Sequence, residues 1–161
     1  MPTNAGYIIS HERNFADRMK YFSKKIRNEY GEFDSKAEYE RYIYLKDQED
    51  RGIISYLKRQ VRFEIIPKLI RKEVVQLKTK TKEVERVDEM AAHYTADFTY
   101  VNHDGQFVIS ECKGGGSLQK LADYVLRRKL IKRIIFLHNE EVGFQDWVFE
   151  EYVTSKTKKK K

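Results

Sequence analysis

The chain of 161 residues holds a single cysteine, Cys112, which excludes an internal disulfide and a thiolate zinc cluster. It contains no run of about 18 apolar residues, and its N-terminus lacks the apolar stretch of a signal peptide, so neither membrane insertion nor secretion is expected. Excess charge is scarcer than it first seems. The formal net charge is +7, from 32 basic and 25 acidic residues, but Lys156 and Lys158 to Lys161 supply five of those cations. Without them 27 bases face 25 acids, so bulk charge says little about a partner and its distribution says more.

What is present is 40% hydrophobic and 35% charged, the composition of a charge-rich globular protein long enough for one domain with a real core. That domain is expected over residues 1–155, with its core at about 21–138, followed by a basic tail at 156–161. Between Glu32 and Arg51 seven acids accompany four bases, whereas Lys120 to Arg133 holds six bases and one acid, Asp123. Such segregation suits a phosphate-tracking face.

The stretch Tyr94 to Gly116, YTADFTYVNHDGQFVISECKGGG, organises the rest. Two runs of strand composition flank Asn102-His103-Asp104-Gly105, which is turn chemistry, so a β-hairpin is expected. A two-residue Asp104-Gly105 turn would put Asp97 and Glu111 on opposite faces. A three-residue loop with Gly105 left-handed would pair Asn102 with Gln106 and set Asp97 opposite Glu111, with Lys113 on the same face. Facing β-carbons are then about 5 Å apart, and two carboxylates that close repel unless a cation or a shared proton intervenes. A hard divalent metal is the usual resolution. Acids on a hairpin are most often a solvated face, but Phe107 and Ile109 lie on this side too, so the acids are expected at the end of a partly apolar face. Cys112 should point the opposite way, as a small buried hydrophobe.

In chain order, residues 1–18 show no sustained period, and Lys20 to Arg27 suits a short helix or an ordered lead-in. Ser35 with Glu38 three residues on is a capping-box pattern, opening a helix that Gly52 stops near Arg51. Glu38, Tyr42, Leu45 and Glu49 share one stripe of it, so Glu38 is placed either as a cap alone or as a cap that also reaches the acid pair. Gln60 opens an alternating strand through Val61, Phe63 and Ile65, which Pro67 should end or mark as an edge. Lys68 to Arg86 reads as a solvated β-ribbon with an exposed KTKTKE turn, and Val84 to Tyr100 as one long strand. Ser117 should cap a helix with Leu118, Leu121, Ala122, Val125, Leu126, Leu130 and Ile134 as its core stripe and Lys120, Arg127, Arg128 and Lys132 outside it. Ile134 to Leu137 fits the end of that helix or a buried strand equally well. A short element around Trp147, Phe149 and Tyr152 should pack back.

Asp97, thirteen intervening residues, then Glu111-Cys112-Lys113, behind a helix bearing Glu38, resembles the PD-(D/E)xK nuclease superfamily. The wording FDSKAEYERYIYL, RQVRFEIIP, YTADFTY and ISECKG is similar to a family of small phage and prophage endonuclease-like proteins within it. It is also similar to transposon endonuclease subunits and archaeal-type Holliday junction resolvases. The resemblance spans roughly Tyr21 to Phe136. Ala96 stands where proline is common, and Gln119 and Tyr124 miss the Q-x-x-x-Y spacing of RecB-like exonucleases, which weakens an exonuclease assignment. The resemblance implies an α/β, restriction-endonuclease-like fold, a mixed central sheet flanked by helices. It implies a Mg²⁺-dependent DNA endonuclease, with Mn²⁺ as a substitute, acting on branched recombination intermediates such as Holliday junctions, in bacterial or phage-infected cytoplasm. Asp97, Glu111 and the Cys112 carbonyl would hold metal with Glu38 completing the shell, and Lys113 would orient or deprotonate water. Gln60, Lys120, Arg127, Arg128 and Lys132 would meet DNA, with a homodimer favoured. The alternatives are a non-catalytic nucleic-acid-binding or assembly protein on the same fold, and a transposase-type subunit active only in a complex.

Overall fold

The computed structural model describes residues 25–114 and 122–154. Lys120, the expected Ser117 cap, the N-terminal arm and the basic tail lie outside them. Ile26–Asn28 and Gly31–Phe33 form a small antiparallel hairpin (β1, β2), so the described end of the basic lead-in is strand rather than helix. The helix Lys36–Asp50 (α1) follows. The long strand Ser55–Ile66 (β3) ends where Pro67 removes a donor. Leu69–Gln76 (β4) and Thr81–Glu89 (β5) make a separate two-stranded ribbon. Ala92–Val101 (β6), Phe107–Gly114 (β7), the helix Ala122–Val142 (α2) and Trp147–Thr154 (β8) complete the chain. The single strand expected from Val84 to Tyr100 is therefore two, broken at Met90-Ala91.

The fold is mixed α/β. Its central four-stranded sheet has the order β3-β6-β7-β8, antiparallel except for the β7–β8 pair. Two core clusters sit on it. Leu45 of α1 packs with Ile54, Phe98, Tyr100 and Val108 on one side. Ile131 and Ile135 of α2 pack with Tyr94, Ala96 and Ile109 on the other. Helix α1 starts as its sequence dictates: Ser35 Oγ accepts the Glu38 amide hydrogen at 3.1 Å, and Glu38 Oε2 accepts that of Asp34 at 2.8 Å. These bonds satisfy amides that the first turn leaves without partners. Past its end, Gly52 takes φ +72°.

Helix α2 differs from expectation in its facing. Its buried residues are Tyr124, Ile131 and Ile135, not the stripe through Ala122, Leu126 and Leu130, and Leu126 is left 59% exposed. Ile134 to Leu137 is helical. The short element around Trp147 is a full strand beside β7, so the sheet extends past the expected core limit.

The β6–β7 loop is the three-residue one. Asn102 N–H donates to the Gln106 carbonyl at 3.0 Å, Val101 pairs with Phe107, and Gly105 has φ +80°. An L-residue there meets no neighbour but pays the left-handed backbone cost of about 1–2 kcal/mol. Gly105→Ala should lower unfolding free energy by about 1 kcal/mol in urea titration, and Gly105→Asn by less than half of that, since asparagine tolerates this region.

Candidate active site

The site begins where two strands part. The β6–β7 ladder ends at Phe98 and Ser110; beyond it β6 stays with β3 and β7 with β8. Continuing the register sets Asp97 opposite Glu111, but no further rung forms. Instead Asp97 Oδ2 accepts the Cys112 amide hydrogen at 2.8 Å, so a carboxylate satisfies a donor that the parting strand no longer reaches.

The same position changes the facing of the sheet. In a regular strand Tyr94, Ala96, Phe98 and Tyr100 would share one face, yet Tyr94 and Ala96 pack on the α2 side and Phe98 and Tyr100 on the α1 side. The neighbouring strand switches with it. The paired positions Arg59–Phe98 and Val61–Ala96 bracket Gln60, whose φ is +51°. A left-handed glutamine costs about 1–2 kcal/mol, and such strain clusters at functional sites.

Around this junction the acids gather. Glu38, 4% exposed, is delivered by the first turn of α1. Gln60 Nε2 donates to Glu38 Oε1 at 3.0 Å and, more weakly, to Asp97 Oδ1 at 3.5 Å. Glu111, also buried, accepts the Tyr94 hydroxyl hydrogen at 2.6 Å on Oε2 and forms an ion pair with Lys113 through Oε1. The Lys113 ammonium also stands 4.4 Å over the Tyr124 ring, a favourable cation–π contact. Burial, then the Glu111 charge, pushes the Asp97 carboxyl up to about 7, against the opposing pull of the Cys112 amide. Burial is also the main cause that raises Glu38 and holds the Tyr94 hydroxyl far above its ordinary value.

The expected site residues fare unequally. Glu38, Gln60, Asp97, Glu111 and Lys113 come together. Cys112 contributes its amide to Asp97, while its side chain packs with the α1-side core and burial pushes its thiol up to about 12. Among the described residues no group of three or more His, Cys, Asp or Glu side chains is already arranged to hold a metal ion. Lys113, Tyr94, Gln60 and two backbone amides engage the acids instead. The donor chemistry still fits a hard cation, because all the acids offer carboxylate oxygens and Asp97, raised first by burial and then by the Glu111 charge, stands beside a second acid.

The basic residues expected outside the core stripe of α2 take different environments. Arg128 turns toward the sheet and pairs with Glu151 of β8 at 3.0 Å, because the buried stripe of α2 runs through Tyr124 and Ile131. Arg127 is exposed and pairs with Asp123 at 3.6 Å. The Lys132 ammonium lies 5.2 Å over the Phe149 ring. Two residues escaped the sequence reading. Regular alternation would put Tyr94 on the face away from Glu111, and the facing change at Asp97 brings it over; Tyr124 enters only through the Q-x-x-x-Y spacing, and only its spacing from Ile131 could have shown it facing the sheet.

Fold and cluster together define a class: a mixed α/β protein with buried acids and a lysine collected where two strands of its central sheet part. A family model described as "Protein of unknown function (DUF1064)" matches residues 18–142, and the chain belongs to that family. No curated protein and no solved structure matches it.

The Asp97 shift fixes a pH dependence. Below about pH 4 both folded and unfolded states carry the Asp97 proton, and between about 4 and 7 only the folded state does. Stability from this group therefore falls as pH rises through that window and is level above it. Asp97→Asn should raise Tm at pH 8 by about 5 °C, equivalent to ~2 kcal/mol in a chain of this size, and leave it nearly unchanged at pH 4. Thermal melts followed by circular dichroism at both pH values test this.

Proposed function

We propose that this protein is a divalent-cation-dependent deoxyribonuclease that hydrolyses phosphodiester bonds at Glu38, Asp97, Glu111 and Lys113. The observation that supports this most is the charge pattern at the parting strands: a carboxyl pushed up to about 7 beside a second buried acid, with a lysine against that acid. A purely structural hairpin gains nothing from burying these groups together. Asp97 and Glu111, with Glu38 and the Cys112 carbonyl, are the groups that would hold Mg²⁺ or Mn²⁺. When bound, the ion supplies Lewis acidity and offsets phosphate charge.

The chain's own side chains have separable duties in this reading. Gln60 keeps Glu38 and Asp97 at one spacing through its single amide group. Tyr94, a phenol whose ionisation is strongly disfavoured, holds one oxygen of Glu111. Lys113 neutralises the other until substrate arrives, then places its ammonium against the phosphate and the attacking water. One observation favours a second reading. Since no ready metal-ligating group stands among the described residues, the acids must rearrange to bind a cation. That suits a transposase-type subunit whose site is completed within a complex.

The test is a cleavage panel of duplex, single-stranded, flap and four-way-junction DNA with Mg²⁺, with Mn²⁺ and with EDTA. Cleavage is expected with either metal and not with EDTA. Asp97→Asn and Lys113→Ala should each reduce the rate by at least ~10² while the fold persists. Glu38→Gln still accepts the Asp34 amide, so a loss of activity with little change in Tm would separate a ligand from a cap. Parent-like cleavage by both Asp97→Asn and Lys113→Ala would remove this active site. Magnesium binding without cleavage of any substrate would favour the second reading.

A further inference from the structure

The β4–β5 ribbon stands apart from both cores. Neither cluster takes a residue from it, and its two strands pair only with each other. It connects through Pro67-Lys68 and Met90-Ala91 to β3 and β6, the strands that carry Gln60 and Asp97. At about 3.3 Å per residue the eight residues of β4 extend ~26 Å. A two-stranded ribbon that buries so little is marginal by itself in water, and here Val74 is 72% and Val87 51% exposed.

Its two faces differ in charge. The register Arg71–Arg86, Glu73–Val84 and Val75–Lys82 puts Arg71, Arg86 and Lys82 on one face with Glu73 as the acid among them. The register Lys72–Glu85 and Val74–Glu83 puts Glu83 and Glu85 on the other face with Lys72. Arg71 stands directly opposite Arg86, a like-charge pair that destabilises a free ribbon. Glu73 bridges the two, at 3.0 Å from Arg71 and 2.8 Å from Arg86. At the tip, Lys78 and Lys80 join Lys82, and none of the three has an acidic partner among the described residues.

We propose that this ribbon is a nucleic-acid arm, laying the Arg71–Arg86–Lys82 face and the Lys78–Lys80 tip against the phosphates of a duplex whose scissile strand lies in the Asp97 site. The inference rests on the nuclease reading and adds to it the surface that holds substrate. In the free ribbon Glu73 and Asp88 offset the opposed arginines, and against a polyanion both arginines face favourable charge. Glu83 and Glu85 lie on the far face, while Glu73 and Asp88 pair with the arginines, so the near face keeps a net positive charge that steers toward phosphate. Because β3 leads from Gln60 to the arm and β6 leads from the arm back to Asp97, a duplex held there is positioned relative to Asp97.

The test measures fluorescence anisotropy of a labelled 30-base-pair DNA duplex with the full chain in EDTA, across a KCl series. Replacing Lys78, Lys80 and Lys82 together by alanine should weaken binding about tenfold at low salt and reduce the slope of log K against log salt by about 2 to 3. Arg71→Ala with Arg86→Ala should weaken it similarly. Glu83→Gln with Glu85→Gln, on the opposite face, should stay within about twofold of the parent or bind slightly tighter. Melting curves by circular dichroism check that each variant is folded. Parent-like affinity and slope in the triple-lysine variant would overturn the arm while leaving Asp97-dependent cleavage intact. A parent that binds no duplex at any salt would overturn the arm and count against the nuclease reading as well.

Discussion

The hydrogen bond from the Cys112 amide to the Asp97 carboxylate is the contact on which the site depends. It stands where an interstrand backbone bond would otherwise be, at the first position that β6 and β7 no longer share. A strand amide facing a gap is a liability if buried and unpaired, so a side-chain acceptor at that position lets the strands part at low cost. The acceptor is an acid, and parting the strands makes room beside it for Glu111 and Glu38. One local solution to a backbone problem thereby sets up the electrostatic problem that defines the site.

That second problem is met with hydrogen bonds and one cation. Glu111 has Tyr94 on one oxygen and Lys113 on the other, and Glu38 has a backbone amide and Gln60. Asp97 has the Cys112 amide and a long contact from Gln60, and burial, then the Glu111 charge, pushes it up to about 7. An acid near neutrality changes its charge readily when a cation approaches. The arrangement is thus poised rather than closed, which agrees with acids that lie together without forming a finished ligand cage.

Much of the fold could be read from residue patterns because local chemistry decided it. Ser35 and Glu38 marked the start of α1, Pro67 the end of β3, and Asn102 to Gly105 the hairpin turn, while the choice between a two- and a three-residue loop, and with it the register, stayed open. What could not be read was any feature decided by departure from regularity. Alternation assumes an unbroken pleat, and nothing in the residue type of Gln60 announces a left-handed conformation, so the facing change that joins Tyr94 to Glu111 was invisible. Helix α2 failed for another reason. It carries an aliphatic series through Leu126, Leu130 and Ile134 and a second one through Tyr124, Arg128, Ile131 and Ile135. The first is more apolar, but the second is buried, because Arg128 finds Glu151 and Tyr124 lies beneath Lys113.

A further hydrogen-bond network explains why Glu38 arrives where Asp97 is. Arg41 lies one turn beyond Glu38 and makes two contacts of 2.8 Å to the Glu150 carboxylate of β8, between the rings of Tyr44 and Tyr152. The same carboxylate accepts the Tyr100 hydroxyl of β6 and the Ser110 hydroxyl of β7 at 3.1 and 2.6 Å. Glu150 therefore ties α1 to three adjacent strands at the level just before β6 and β7 separate. Four hydrogen bonds on one carboxylate, two of them from a buried guanidinium, make this tie hard to loosen. The helix end that carries Glu38 and the last paired rungs of the hairpin are held as one body, and strand separation begins only beyond them. The acids can meet because the clamp stops where it does: Ser110 is held within it, and Glu111, the next residue, is the first to face the opening.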